Sequence, residues 1–269
     1  PRSSPYVRKD IRPVKGFFRN FKLVYRLAFK KRPPIYRASP TVYEMLPPIV
    51  MSQSKKYLNY AFVFLFLGII IVALEIFGLG LGVLFPIAFI SALIPAVIFM
   101  FWIKANDRYE PEPMWLIFYA FGWGGMAIFL AFFLNSFLVL PLFGGWTGAA
   151  AFSEEPLKIL GVYLMAKSLK LGKEYNDHLD GLIYGAMAGL GFGFIENILY
   201  IGRFLVATPL IIAIRILSMT MHMFCTGLIG WWIGYLKVNG VPLSFSKIMP
   251  ALLLSMIIHM IWNLSLIHI

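Results

Sequence analysis

The chain has 269 residues, 60% of them hydrophobic and only 13% charged, with a formal net charge of +12. A soluble domain of this length does not need so much apolar surface, so the composition excludes an ordinary globular protein and predicts an integral membrane protein. Residues 1–57 contain 14 Lys and Arg against 2 acidic residues, which favours an anionic lipid surface over nucleic acid as the partner of this segment.

The first predicted element is a basic amphipathic helix over residues 14–29, where apolar residues recur at helical spacing with Lys and Arg between them. Such a helix lies in the headgroup layer of a membrane, and docking on the protein's own cytoplasmic loops is the alternative. Two proline-rich stretches, RPPIYRASP and LPPIV, then predict an extended linker. We therefore divide the chain into a basic cytoplasmic segment, 1–57, and a transmembrane helix bundle, 58–269.

Seven hydrophobic segments follow, each long enough to cross about 30 Å of hydrocarbon as a helix. They cover residues 60–78, 81–103, 114–142, 147–167, 179–201, 208–236 and 248–268. The predicted fold is all-α, a polytopic bundle of about seven spans with the basic helix at its surface. Basic residues follow the second, fourth and sixth spans, so the positive-inside rule predicts a multi-pass protein of the cytoplasmic membrane with a cytoplasmic N-terminus and an extracytoplasmic C-terminus.

The fourth predicted span begins with an unusually polar stretch, FSEEPLKIL, at residues 152–160. Pro156 is best tolerated in a first helical turn, so we expect Ser153 to cap the helix and Glu154 and Glu155 to lie in its first turn. The preceding GGWTGAAAF is then a loop or broken helix that lines a cavity, because lipid does not tolerate exposed irregular backbone. Lys158 is expected to neutralise one of the two carboxylates.

The fifth span carries a glycine at every fourth position, which predicts close contact with another helix and a place at the middle of the bundle. Spans four to seven also carry polar side chains that are costly in a membrane and are therefore functional candidates. These are Glu154, Glu155, Lys158, Glu196, Asn197, Arg215, His222, Thr226, His259 and Asn263. At 1.5 Å per residue, six of these groups lie about 8 to 20 Å from the outer ends of their helices, a similar level in the outer half of the membrane. They are Glu154, Glu155, Glu196, His222, His259 and Asn263.

Carboxylates and imidazoles at one level provide the groups that hydrolysis requires. A glutamate can take a proton from water, a histidine can share the proton or hold a metal, and an Asn or His donor can stabilise an oxyanion. Neutral imidazoles with a carboxylate can also bind zinc, although neither an HExxH motif nor a pair of cysteines is present.

These residues stand in motifs that resemble the PrsW family of intramembrane proteases, within the superfamily that includes CAAX prenyl endopeptidases and Abi proteins. The motifs are EEPLK, DGLIYGAMAGLGFGFIENILY, HMFCT and HMIWN, with DRYEPEP on the cytoplasmic side, and the likeness covers roughly residues 104–263. The resemblance implies an endopeptidase that cuts membrane-anchored proteins, such as an anti-sigma factor, near the extracytoplasmic side of the membrane.

The resemblance also implies roles for individual residues. Glu154 or Glu155 is the base that activates water, and Glu196 stands where prenyl proteases carry a histidine, so His222 is a candidate for that imidazole. His259 and Asn263 match an HxxxN pattern, which implies oxyanion stabilisation or, for His259, metal ligation. The candidate ligands of a zinc ion are Glu196, His222 and His259, and Lys158, Asn197, Arg215 and Thr226 support the site.

Two other functions remain open from the residues alone. A non-catalytic binding or scaffold protein of the same fold would keep these motifs without hydrolysis. A transporter would need polar residues from the site to the cytoplasmic face, but Tyr184 is the only such residue between Gly181 and Ile195, which counts against transport.

Overall fold

The structure is a computed structural model that describes residues 85–107, 112–204 and 209–265. The amphipathic helix predicted over 14–29, the first predicted span and the boundary near residue 57 lie outside these ranges. The described residues form helices joined by short connections and contain no β-strand. The predicted all-α membrane fold is therefore confirmed.

Six main helices follow one another along the described chain. They are α1 (Phe85–Asn106), α2 (Met114–Leu134), α3 (Ala151–Lys167), α4 (His178–Phe204), α5 (Pro209–Val238) and α6 (Phe245–Leu264). α2 continues through a π-helical segment, Asn135–Val139, and a last turn, Leu140–Leu142. All of these helices except the 17-residue α3 are long and apolar enough to cross a membrane. The total of about seven spans stays a prediction, because the first lies outside the described residues.

α4 lies at the centre of the described bundle, where it packs against α1, α2, α3 and α5. A stripe of glycines at every fourth position permits this packing: Gly181, Gly185, Gly189 and Gly193. A Cβ atom at Gly181 would lie 2.2 Å from the carbonyl oxygen of Gly230, and one at Gly189 would lie 2.2 Å from that of His222. Since no side chain fits at such distances, the stripe brings the backbones of α4 and α5 together, as the sequence predicts. The contact at Gly189 also sets the position of His222 relative to α4.

The chain enters α3 differently from the sequence-based prediction. Gly144 and Gly145 have φ values of 63° and 83°, a left-handed conformation that favours glycine, and they turn the chain after α2. A 3₁₀ turn, Thr147–Ala150, then runs directly into the helix, whose N-cap is Ala150. The prediction that Ser153 caps the helix is therefore wrong, because the helical backbone begins before it. The Ser153 side chain instead lies within the first turn, with its Oγ 2.9 Å from the carbonyl oxygen of Ala150.

Large apolar side chains cover the outside of the described bundle. Phe101, Trp102 and Phe133 each expose about three-fifths of their surface, with relative values of 62%, 61% and 61%. Exposed apolar side chains of this size suit contact with lipid chains and not with water. The polar side chains named above lie mostly inside the bundle, so the sequence pattern separates a lipid-facing exterior from a polar interior.

Candidate functional site

Glu155 lies at the centre of a buried polar group that we call the glutamate–histidine cluster: Glu154, Glu155, Lys158, Glu196, Arg215, His222 and His259. The Lys158 ammonium lies 2.6 Å from Glu155 Oε1, and both side chains are fully buried. Thr226 donates its hydroxyl to Glu155 Oε2 (3.2 Å), and His259 Nδ1 lies 2.8 Å from Glu155 Oε1. Three side chains from α3, α5 and α6 therefore engage both oxygens of this carboxylate.

Glu154 has a different environment, although it is the next residue in the chain. Its Oε1 accepts a hydrogen bond from Asn135 Nδ2 (3.3 Å). Its Oε2 is buried and has no hydrogen-bond partner among the described residues. The nearest basic atom is His259 Nε2, at 3.6 Å from Oε2, too far for a hydrogen bond. Glu154 is thus a buried carboxylate with one oxygen available.

Hydrogen bonds to ring nitrogens fix the orientation and the tautomer of the two histidines. A carboxylate only accepts hydrogen bonds, so His259 Nδ1 carries a proton toward Glu155, and Nε2 is left with a lone pair in the neutral ring. An ammonium only donates, so His222 Nδ1 accepts from Lys158 (2.9 Å) and His222 Nε2 donates to Glu196 (3.0 Å). The two rings meet edge to face with centroids 4.9 Å apart.

Glu196 belongs to a second ion pair within the same cluster. Arg215 Nη2 lies 2.5 Å from Glu196 Oε2, and Arg215 Nε donates to Asn197 Oδ1 at 2.9 Å. Asn197 returns a hydrogen bond to the Arg215 carbonyl (3.0 Å), and the guanidinium lies 4.1 Å from the centre of the Tyr200 ring. This arrangement fixes the Glu196 carboxylate, which accepts the hydrogen bond from His222 Nε2.

The structure brings nearly all of the predicted site residues together through direct contacts. Asn263 is the exception, since its Oδ1 is buried without a hydrogen-bond partner among the described residues. The sequence analysis missed Asn135, which contacts Glu154 from the end of α2. A signal was available, because Asn135 and Ser136 form a polar pair in an otherwise apolar part of the predicted span 114–142.

Three groups of the cluster fit a divalent cation. One ligand atom from each of Glu154, His222 and His259 lies within 4.8 Å of the others. Two imidazoles and a carboxylate form a common zinc donor set, and the unpartnered Glu154 Oε2 is a donor atom that no hydrogen bond occupies. The sequence analysis proposed Glu196 in place of Glu154. In the structure the Glu196 carboxylate lies outside this group and pairs with Arg215.

A second buried polar group, which we call the Glu112 cluster, lies at the N-terminal end of α4. It contains Asp107, Glu112, Asp180 and Tyr184, of which the Tyr184 hydroxyl donates to Glu112 Oε2. The Asp180 carboxyl group accepts hydrogen bonds from the backbone amides of Asn176 and Asp177 at 2.6 and 2.8 Å. Burial raises the pKa of Glu112 to about 7.

Comparisons with known proteins match the part of the chain that contains the glutamate–histidine cluster. The profile of a family described as PrsW family intramembrane metalloprotease matches residues 112–269, a range that contains every predicted site residue. The chain is 29% identical to Protease PrsW of Clostridioides difficile strain 630 over 162 residues, which cover 56% of this chain and 67% of that protein. It is 27% identical to Protease PrsW of Bacillus subtilis strain 168 over 177 residues, which cover 62% and 79%. No solved structure matches the chain significantly.

Proposed function

Because the chain belongs to the PrsW family of intramembrane metalloproteases, we propose that the glutamate–histidine cluster is its hydrolytic centre. The observation that carries this proposal is the buried, unpartnered Glu154 Oε2 beside His259 Nε2. A carboxylate oxygen without a partner is costly to bury, and it is kept where it has a chemical use. This proposal selects Glu154 from the two adjacent glutamates.

Glu154 Oε2 takes a proton from the attacking water and later returns it to the leaving amine. Glu155 does not suit this role, because Lys158, Thr226 and His259 already engage its oxygens. It instead orients His259 through Nδ1, so that Nε2 faces Glu154. A carboxylate that fixes a histidine in this way raises the basicity of the ring and sets its tautomer.

His222 is oriented from both sides. Lys158 occupies its Nδ1, and Glu196, itself fixed by Arg215, accepts from its Nε2. Lys158 and Arg215 also balance two of the three carboxylates, so the third charge, on Glu154, is left for the reaction. The buried position of the cluster strengthens each of these electrostatic interactions relative to water.

Glu154, His222 and His259 would hold the divalent cation that the family description implies, with zinc as the best match to the donor set. When bound, such a cation polarises the scissile carbonyl and makes the attacking water more acidic. Glu154 can serve both the cation and the proton, since a carboxylate has two oxygens with about four acceptor sites. His222 must release Lys158 or Glu196 before it can act as a ligand.

The substrate class that fits this site is a membrane-anchored protein, such as an anti-sigma factor, cut near the extracytoplasmic face. The level of the cluster in the outer half of the predicted spans supports this side of the membrane. A basic helix over 14–29 would hold the N-terminal segment on anionic lipid of the cytoplasmic leaflet. The motifs shared with CAAX prenyl endopeptidases support a place in that wider superfamily.

Cleavage of a single-pass membrane protein in reconstituted vesicles tests the proposal. Glu154→Gln removes the acceptor charge with little change in shape, and we expect it to lower the rate by about 10²- to 10⁴-fold. Glu174→Gln, in the 3₁₀ turn before α4, is the matched control and keeps the wild-type rate. Wild-type activity in Glu154→Gln would remove Glu154 from the mechanism, and an inactive wild type would support the scaffold alternative.

A further inference from the structure

We propose that Asn135 is a positioning residue that holds Glu154 with its Oε2 directed toward His259. The proposal rests on the proposed function, because it concerns the carboxylate that reacts there. Asn135 lies on α2 and Glu154 on α3, 19 residues apart in sequence, and they meet through Asn135 Nδ2 and Glu154 Oε1 at 3.3 Å. None of the shared motifs contains this asparagine.

Asn135 occupies a special position in the backbone, since it is the first residue of the π-helical segment that ends α2. Its carbonyl oxygen accepts the amide proton of Leu140, five residues later, where an α-helix would bond four residues later. One such turn shifts the angular position of every following residue, and single π-helical turns are frequent at functional sites. The irregular turn and the asparagine therefore occur at one place, next to the reactive carboxylate.

The orientation of the Asn135 amide follows from the chemistry of its neighbours. A carboxylate has only acceptor atoms, so the amide must present its NH₂ group to Glu154. Its oxygen then faces Ser153, whose hydroxyl donates to it. Ser153, Asn135 and Glu154 form a continuous hydrogen-bonded chain, in which the serine fixes the amide and the amide fixes one carboxylate oxygen.

A neutral donor at this place has a specific consequence for Glu154. Glu155 is paired with Lys158 and Glu196 with Arg215, but the Asn135 amide makes the one hydrogen bond that the Glu154 side chain has among the described residues. The amide fixes the direction of the carboxylate without neutralising it. Without Asn135, rotation about the side-chain bonds would move Oε2 away from His259 in part of the molecules.

The test separates this role from simple packing with two substitutions of one residue. Asn135→Asp keeps the shape but places a second carboxylate against Glu154, whereas Asn135→Ala removes the donor. Ser136→Ala is the matched control, because Ser136 is the exposed neighbour on the same turn. The measurements are kcat and KM for a single-pass substrate in vesicles, the divalent-metal content of the purified protein, and its thermal unfolding in detergent.

We expect Asn135→Ala to lower kcat or the metal content by about 10- to 100-fold, as removal of a partner behind a reactive or ligating group does. KM stays within about twofold of wild type, because Asn135 acts through Glu154 and not on the substrate. Asn135→Asp is the more damaged variant, although it is the closer in shape, and Ser136→Ala behaves as wild type. A role in packing alone would give the reverse order of the two Asn135 variants.

Wild-type kcat and metal content in Asn135→Ala, a change confined to KM, or full activity in Asn135→Asp would overturn the proposal. If Asn135→Ala does not fold, Ser153→Ala tests the same chain, with an expected loss of kcat of about threefold to tenfold, the effect of one hydrogen bond. An unchanged kcat in Ser153→Ala would then overturn it. Glu154→Gln is measured beside these variants to separate the two proposals. If Glu154→Gln is inactive and Asn135→Ala is fully active, the positioning role of Asn135 is rejected while the proposed role of Glu154 stands.

Discussion

Buried carboxyl groups lie near both ends of α4, and the side chains that contact them differ between the two ends. In the glutamate–histidine cluster, Glu155 pairs with Lys158 and Glu196 pairs with Arg215 at distances of 2.6 and 2.5 Å. In the Glu112 cluster, the described residues place no basic side chain in an ion pair with Glu112. The Glu112 carboxylate instead accepts a hydrogen bond from the Tyr184 hydroxyl.

This difference indicates two uses of a buried acid. Where fixed cations balance the charges, the cluster can keep one carboxylate, Glu154, available for a proton or a cation. Where no fixed cation pairs with the acid, as at Glu112, the carboxyl group acts as a structural contact, here with the Tyr184 hydroxyl. The Glu112 cluster ties the connection between α1 and α2 to the start of α4 and thereby helps to fix the helix that carries Glu196.

The largest difference should come from replacing one ionisable side chain in each cluster. Lys158→Met leaves Glu155 buried without its ion pair, which we expect to lower the free energy of unfolding by about 3 to 5 kcal/mol. Asp180→Asn keeps an acceptor for the backbone amides of Asn176 and Asp177, so about 1 kcal/mol or less is expected. Chemical unfolding of both variants in detergent measures this difference. Equal losses would show that the two clusters do not differ in charge balance.

The next effect concerns the backbone contact that places His222. Gly189→Ala would put a Cβ 2.2 Å from the carbonyl oxygen of His222 and force α4 and α5 apart. We expect a loss of about 1 to 3 kcal/mol in unfolding free energy, as in other overpacked cores, together with most of the cleavage activity. Gly227→Ala at the same interface is the control, because its Cβ would meet the side-chain atom Leu182 Cδ1 at 3.3 Å. Activity lost equally in both variants would argue against a specific role of the Gly189 contact.

The smallest effect is the pH dependence of stability from the Glu112 cluster. Burial raises the pKa of Glu112 from 4.5 to about 7, so between these values the folded protein holds a proton that the unfolded chain has released. Stability therefore falls as pH rises through this range and is lowest above about pH 7. Glu112→Gln cannot ionise, and it should remove a drop of a few degrees in melting temperature between about pH 5 and pH 8. An identical pH slope in wild type and variant would mean that Glu112 is not the group responsible.

The sequence predicted the central part of the fold because that part depends on regular spacing. A glycine at every fourth position places α4 against α5, and the predicted span 179–201 lies within the observed helix, His178–Phe204. The shared depth of the polar residues in spans four to seven likewise indicated that they would meet, as most of them do in the glutamate–histidine cluster. Each of these signals lies within one helix, where the period of the helix converts sequence into position.

The parts that the sequence did not predict depend on departures from that regularity. Ser153 looked like a helix cap, but the 3₁₀ turn Thr147–Ala150 continues into α3, and no residue pattern indicates that continuation. The contact of Asn135 with Glu154 joins two helices through a π-helical turn, whose occurrence no local spacing predicts. The choice between Glu154 and Glu155 likewise depends on partners from three other helices.

The measurement that tests the central claim most directly is the divalent-metal content of the purified, detergent-solubilised protein, with substrate cleavage assayed on the same samples. Wild type is compared with Glu154→Gln and His259→Gln, and Ser136→Ala is the control. If Glu154, His222 and His259 form one hydrolytic centre, wild type and the control hold near-stoichiometric metal and cleave, while both site variants lose metal and activity together. Full cleavage by metal-free wild type, or undiminished metal in both site variants, would contradict the account.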